Sequence, residues 1–184
     1  YTGKIDYETN FVKGKLGFGS KISRVETKNT FEAFDVIDTD ESIDNLRSNK
    51  FNYNESVYAL YVSYAKSLGK KWKFVSGLRA EQTIADGNLQ AYASTLAEEP
   101  VELNYLKWFP NAGITWDLKP KNTMSLNYGR RINRPDYNVL NPFRNQLSEL
   151  SIEKGNPYLK PEIVNNLELG YTFLYMYNFK LGYS

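Results

Sequence analysis

The chain has no cysteine and no histidine among its 184 residues. The first absence excludes disulfides, thiolate nucleophiles and cysteine-based metal sites. The second removes Ser-His catalysis, the HExxH zinc motif and most imidazole proton relays. Also missing is any run of about 18 consecutive apolar residues, so no helix is expected to span a membrane. There is no excess of one charge: 23 basic and 21 acidic residues leave a formal net charge of +2, too weak a field to point to nucleic acid. No signal peptide opens the chain at Tyr1. The expectation is that an export signal has been removed or that the chain is a piece of a longer protein.

What is present is aromatic and alternating. Aromatic residues make up 15% of the chain, with 15 Tyr and 3 Trp, a share that suits interfacial aromatic belts. The mean hydropathy of −0.55 has a soluble look. A barrel, however, exposes only alternate residues to lipid, so the index does not decide the matter.

Apolar and polar residues alternate with period two, the signature of strands with one apolar face. Tyr58, Leu60, Val62 and Tyr64 share one face, and Ala59, Tyr61, Ser63 and Ala65 the other. After a tight Leu68-Gly69-Lys70-Lys71 turn, Trp72, Phe74, Leu78 and Ala80 face away from Lys73, Gly77, Arg79 and Glu81. Leu106, Trp108, Ala112, Ile114, Trp116 and Leu118 then alternate with Lys107, Asn111, Thr115 and Asp117. A short Lys119-Pro120-Lys121-Asn122 turn leads to Met124, Leu126 and Tyr128. Leu16, Phe18 and Ile22 near the start, and Leu167, Leu169, Tyr171 and Phe173 near the end, repeat the pattern.

Long polar connections are expected over 38–50, 86–103 and 132–161, with a short helical turn in the Leu89–Leu96 region. Short turns alternating with long loops are the habit of outer-membrane barrels. The runs 57–67, 72–83 and 104–118 reach the roughly 9–11 residues a barrel strand needs to cross a bilayer. Glycines at 17, 19, 77, 113, 129 and 170 fall on the polar face, where they relieve crowding as a sheet curves. The fold expected is all-β, an antiparallel meander of about seven long strands forming part of a transmembrane β-barrel, with 1–184 as one partial barrel domain. A soluble β-sheet also alternates, and remains the alternative.

Several stretches resemble the late-barrel motifs of TonB-dependent receptors, most closely the outer membrane protein beta-barrel branch of Bacteroidetes type. They are Arg130-Arg131-Ile132-Asn133-Arg134-Pro135-Asp136-Tyr137, Leu140-Asn141-Pro142-Phe143, Gly155-Asn156-Pro157-Tyr158-Leu159-Lys160-Pro161-Glu162 and Leu167-Glu168-Leu169-Gly170-Tyr171. Phe51-Asn52-Tyr53-Asn54-Glu55, Gly77-Leu78-Arg79-Ala80-Glu81-Gln82-Thr83 and Phe109-Pro110-Asn111-Ala112 add to the likeness. The resemblance implies a barrel of about 22 strands, plugged by a separate domain and powered by the TonB complex, that imports siderophores, cobalamin, glycans or peptides. It implies an outer-membrane location in a Gram-negative bacterium. The implied partners are outer-membrane lipid, the protein's own plug, the TonB complex and a surface lipoprotein. If this piece were isolated, its open edges would self-associate.

The ligand- or plug-contact candidates are Arg130, Arg131, Arg134, Arg79 and Glu81. Guanidinium groups bind carboxylates bidentately, so the arginine run suits an anionic ligand or acidic plug residues; equally, it suits pinning of the loop 133–161 to the barrel wall. Lys73, Arg79, Glu81, Lys107 and Asp117 are expected on the inner wall, pairing across strands. Trp72, Trp108 and Trp116 read as membrane anchors. Asn156-Pro157 and Lys160-Pro161 fix the loop's return into the next strand.

Asp35, Asp38, Asp40, Glu41 and Asp44 form an acidic loop without EF-hand spacing, and no metal or cofactor is assigned. Gly17-Phe18-Gly19 lacks the rest of a phosphate loop. Without His, a hydrolase would need a carboxylate pair or Ser-Lys, and none stands out, so no catalytic residue is assigned. The alternative function is a soluble ligand-binding module, for example for carbohydrate, which would gather its aromatics in one exposed cluster.

Overall fold

The structure, a computed structural model, describes residues 1–96, 99–141, 144–148, 150–156 and 158–184. Eight long strands form one antiparallel sheet: β1 (Thr2–Phe11), β2 (Gly14–Phe31), β5 (Asn49–Leu68), β6 (Trp72–Ala91), β7 (Val101–Lys119), β8 (Asn122–Asn133), β11 (Glu162–Phe173) and β12 (Tyr177–Tyr183). Each pairs with the next in that order, and β1 and β12 are the open edges. Two small hairpins ride on the connections: β3 (Phe34–Ile37) with β4 (Asp40–Ile43), and β9 (Arg144–Ser148) with β10 (Ser151–Lys154). A single helical turn, α1 (Tyr137–Leu140), precedes β9. Among the described residues no helix is long and apolar enough to cross a membrane.

The eighth long strand is β1, whose turn into β2 has no glycine at its two left-handed positions, Gly14 coming only after them. Val12 and Lys13 occupy it at φ 45° and 58°, a left-handed pair usually given to Asn-Gly. The other tight turns use Gly69 at φ 69°, Lys121 at φ 71° behind Pro120, and Leu174 with Tyr175 at 53° and 60°. All four short turns therefore lie at one end of the sheet.

At the other end the strands run longer than expected. The stretch 86–103 is not one loop, because β6 continues to Ala91 and β7 starts at Val101. Asp86-Gly87-Asn88 reads as a turn but stays extended: Asn54 donates to Asp86 across the ladder at 3.0 Å, and the Phe51 ring covers Gly87. Of the helical turn expected over 89–96, only Ser94–Leu96 forms, as a 3-10 turn. The connection expected over 38–50 becomes 32–48 and carries the β3–β4 hairpin, and the one over 132–161 begins at 134.

The two faces of the sheet reverse the usual soluble order. The face lying under the loop 134–161, here called the inner face, holds the buried residues: Phe51, Ala59, Glu81, Thr83, Ala85, Leu89 and Phe109. The outer face carries Leu60, Val62, Leu78, Leu106, Trp108, Leu126, Leu167 and Leu181, all exposed, with Leu60 at 67% and Leu181 at 71%. Only Val25, Phe31 and Val75 among the exposed large apolar residues of the long strands fall on the inner parity. An apolar patch crossing eight strands is far larger than a monomer in water tolerates.

Small residues make the inner face smooth at mid-height. One register row reads Glu8, Gly17, Ser63, Gly77, Asn111, Gly129, Asn166 across seven strands. The Asn111 amide occupies the space over Gly77, where a Cβ would lie 2.8 Å from Nδ2. Tyr61 lies over Gly19 in the same way and donates to Asp6 at 2.5 Å. Of the expected inner-wall ion pairs, Lys73–Asp117 forms across β6 and β7 at 3.5 Å. Lys107 sits opposite Glu81 in the ladder, but Glu81 takes arginine partners instead.

Charge placed on the two faces should have unequal effects. Leu60→Arg, on the outer face, should destabilise the protein in bilayers by about 2–4 kcal/mol. Asn166→Lys, beside the open space at Gly129, should change stability by no more than about 0.5 kcal/mol. Urea unfolding in vesicles measures both, and equal losses would contradict the assignment of faces.

Candidate functional site

The site forms where the upper inner face meets the loop that follows β8. Period-two alternation puts Arg79, Glu81 and Thr83 of β6 on the inner face beside Tyr53 and Glu55 of β5. Strand β8 ends at Asn133, and Pro135, with no backbone N–H, cannot continue the ladder. The chain turns there, and Arg134 reaches back across the sheet.

Its guanidinium Nη2 donates to Glu81 Oε1 and, at 3.2 Å, to Thr83 Oγ1. Arg79 holds the other Glu81 oxygen, Oε2, through Nε at 2.8 Å and Nη2 at 2.5 Å. Arg134 Nε lies 3.9 Å from Glu55 Oε2, which accepts from Tyr53 Oη at 3.1 Å. Two arginines and two glutamates thus share one neutral cluster.

Glu81 is only 3% exposed, a burial a carboxylate tolerates only when paired. Partial burial works against the charge on Arg134, but Glu81, then Tyr105 and Glu55, outweigh it and hold its pKa above the ordinary value. The buried Arg134 Nε has no hydrogen-bond partner.

Past Arg134 the loop folds onto the inner face. Helix α1 places Leu140, 5% exposed, in a small apolar cluster with Phe51, Tyr53, Ala85, Gly87, Val101 and Leu103. The return leg is tied to the outgoing one by Asn156 N donating to Val139 O at 2.8 Å. Gly155 lies so close to the outgoing leg that a Cβ there would meet Val139 O at 2.8 Å. Between this loop and the upper ends of β2 and β5 lies a cleft of about 560 Å³, lined by Asn29, Phe31, Asn49, Asn141, Lys154 and Asn156 among others. Asn49 is 3% exposed and its Nδ2 has no partner.

The five residues expected to gather do so only in part. Arg79, Glu81 and Arg134 meet. Arg131 has inner parity opposite Val164, and Arg130 has outer parity opposite Asn165. Both are exposed, and neither makes an ion pair with another described residue. Asn29 and Asn49 escaped the sequence reading because Asn49 falls inside the stretch taken as loop, and a lone Asn carries no periodic signal. Pro157, with Pro142 and Phe143 of the Leu140-Asn141-Pro142-Phe143 motif, lies outside the described residues.

The acidic connection folds as a hairpin braced by Arg47, which pairs with both Asp35 and Asp44. Among the described residues no group of three or more carboxylates is placed to hold a metal ion. The Arg47 guanidinium holds the Asp44 carboxyl below its ordinary value of 3.8.

The family model described as "Outer membrane protein beta-barrel family" matches residues 1–184. The chain belongs to that family. This outer-membrane barrel chain therefore resides in the outer membrane of a Gram-negative bacterium, with its apolar outer face against lipid, which sets aside a soluble module. Comparison with curated proteins gives no match. Among solved structures, the copper transporter OprC shares 16% identity at a TM-score of 0.69, over 94% of this chain and 27% of its own. The ferric-catecholate import receptor Fiu of Escherichia coli K12 shares 13% at a TM-score of 0.62, over 92% and 28%. These likenesses are of fold, and the chain spans little more than a quarter of either protein's length.

Two outcomes are expected. Arg134→Met should cost about 3 kcal/mol by leaving the buried Glu81 Oε1 without its cationic donor while Arg79 holds only Oε2, and adding Glu81→Gln should recover part of it. A double-mutant cycle read by urea unfolding, with protease nicking of the loop 134–161 as second readout, checks this, and additive losses would contradict it.

Asp44 has a depressed folded-state pKa, so its bracing of the hairpin is whole above the ordinary value of 3.8 and is lost as pH falls through the depressed one. Because the chain has no cysteine, Thr39→Cys gives a unique spin-label site. The label should stay restrained at about neutral pH and gain mobility only below that value. Mobility gained between about pH 5 and 8 would contradict the pairing.

Proposed function

We propose that this chain is the inner wall and mouth of a larger TonB-dependent outer-membrane receptor that imports a nutrient ligand of siderophore, glycan or peptide class. The observation that carries the proposal is the loop 134–161, held against the inner face by Arg134 and Leu140 beside a cleft with a buried, unpartnered amide. A purely structural barrel has no need to bring a long loop inside its own wall and leave a polar cleft under it.

The open edges β1 and β12 expose unpaired backbone groups that hydrocarbon does not tolerate. In this reading further strands of the same receptor close them. The row of Gly, Ser and Asn at mid-height is a smooth hydrogen-bonding surface of the kind a folded plug packs against. The cleft is close to neutral, with amides as its main polar groups, so it meets a ligand by paired donors and acceptors rather than by bulk charge. OprC is a copper transporter and Fiu a ferric-catecholate import receptor; their barrels lend the reading a scaffold, not a ligand.

The test is energy-dependent uptake by cells expressing the full-length protein, set against cells lacking it and cells lacking TonB function. Labelled ferric siderophores, oligosaccharides and short peptides are supplied in parallel. One class should accumulate only when both are present, and Asn49→Leu should weaken binding of that class about tenfold, the cost of one unpaired polar group. Uptake of every class that is indifferent to both the protein and TonB would overturn the reading.

A further inference from the structure

Three of the four short turns, all but the one between β11 and β12, concentrate positive charge at one end of the sheet. Within three residues of them lie Lys13, Lys15, Lys66, Lys70, Lys71, Lys73, Lys119 and Lys121, against a single carboxylate, Asp117. Half of the chain's lysines sit in this narrow band, whereas none of its arginines do. Lys73 pairs with Asp117, and the other seven make no ion pair with any described residue. All eight except Lys66 are exposed. The opposite end differs: there the charges are mixed, and Arg47, Lys28 and Arg134 are each matched to carboxylates.

The band lies where the lipid-facing surface ends. Trp72 and Trp116 stack face to face at 4.8 Å on the outer face, one ladder step from the turns, and Leu68 pairs with Trp72 in the register. Stacked indoles at that height mark the boundary between acyl chains and headgroups. Lys66 shares the outer parity of Tyr64 and Leu68 and lies opposite Phe74, so its stem follows apolar surface while its ammonium reaches the headgroup layer. Lys70, Lys71, Lys119 and Lys121 extend beyond it. Short turns face the periplasm in outer-membrane barrels.

We infer that this lysine band is a docking surface for the anionic headgroups of phospholipids in the inner, periplasmic leaflet of the outer membrane. The charge complements phosphate and glycerol-phosphate headgroups, Lys66 on the outer face and the turn lysines Lys70, Lys71 and Lys121 are free to serve them while Lys15 and Lys73 keep inner parity, and the tryptophan stack sets their depth. A solvated rim would have no reason to exclude carboxylates and to gather lysines beside the stacked tryptophans. Only the orientation draws on the receptor reading; no part of it depends on transport.

The experiment uses the full-length protein reconstituted in phosphatidylcholine bilayers carrying trace spin-labelled phosphatidylglycerol or phosphatidylcholine, with the motionally restricted fraction read by electron paramagnetic resonance. Phosphatidylglycerol should associate about fivefold more strongly, the worth of one lysine–headgroup attraction. High salt should reduce the preference, as screening requires. Lys66→Gln, Lys70→Gln, Lys71→Gln and Lys121→Gln combined should abolish it, while the same four changed to Arg, or Lys28→Gln with Lys160→Gln at the far end, should keep it.

Equal retention of the two lipids by the native protein overturns the inference, as does a preference that survives the four glutamines. Displacement of the labelled lipid's preference by inorganic phosphate alone would mean a site for free phosphate and would also overturn it. Because uptake is not measured, failure here leaves the receptor reading standing, and failure of uptake leaves this one standing.

Discussion

Backbone pairing in a medium without water is the constraint from which the rest of this structure follows. Each N–H and C=O that enters hydrocarbon must find its partner within the protein, and a continuous antiparallel ladder does this strand by strand. The ladder fixes a period of two, so every residue is committed to one face by its number alone. Lipid solvates the outer face, which lets Leu60, Trp108 and Leu181 remain exposed without cost, and burial is left to the inner face. Apolar burial therefore contributes little to holding the sheet itself. Its order comes from the ladder, and side-chain packing acts where the loop 134–161 comes inside.

Strand length turns that constraint into a site. Strands β5 and β6 each have 20 residues, about twice what crossing a bilayer requires. The excess lies toward the long loops, where the inner face carries Phe51, Glu55, Ala85 and Leu89, with Glu81 and Thr83 at its lower margin. Glu81 would be intolerable there alone. With Arg79 on its own strand and Arg134 from the loop, each carboxylate oxygen has a cationic donor, and its burial becomes the reason the loop stays in place. Leu140 supplies the apolar half of the same attachment, seated over Ala85 and Gly87. Packing and charge hold one loop at two points, and the cleft beside Asn49 is the space left between them and β2.

Much of the sheet was legible because its signals are local and periodic. The hairpin at Gly69 and the turn at Pro120-Lys121 announce themselves by residue type, and the alternation around Trp72, Trp108 and Leu126 assigns the faces. The remainder was hidden by contacts between distant residues. Strand β1 went unread because Val12 and Lys13 hold a turn by tertiary pairing that their own preferences oppose. Asp86-Gly87-Asn88 suggested a turn, and Asn54 with Phe51 overrode it. Inside the site, Arg79 and Glu81 could be placed on one face by parity, but the approach of Arg134 to them spans more than fifty residues of sequence. Asn49 had no sequence signature, since its role comes only from the loop that buries it.

The arginine run shows most directly how parity limits what a motif can do. Arg130 and Arg131 are neighbours in sequence, so inside a strand they must point to opposite faces, and no single ligand on one side of the wall can engage both. Arg134, of even number, would share the outer face with Arg130 if β8 continued. It does not, because the strand ends at Asn133 and Pro135 cannot extend the ladder. Release from the ladder lets its guanidinium turn inward to Glu81. The three arginines thus sort into an outer-face charge, an inner-face charge and a loop anchor, and what separates the anchor from the other two is the proline that follows it.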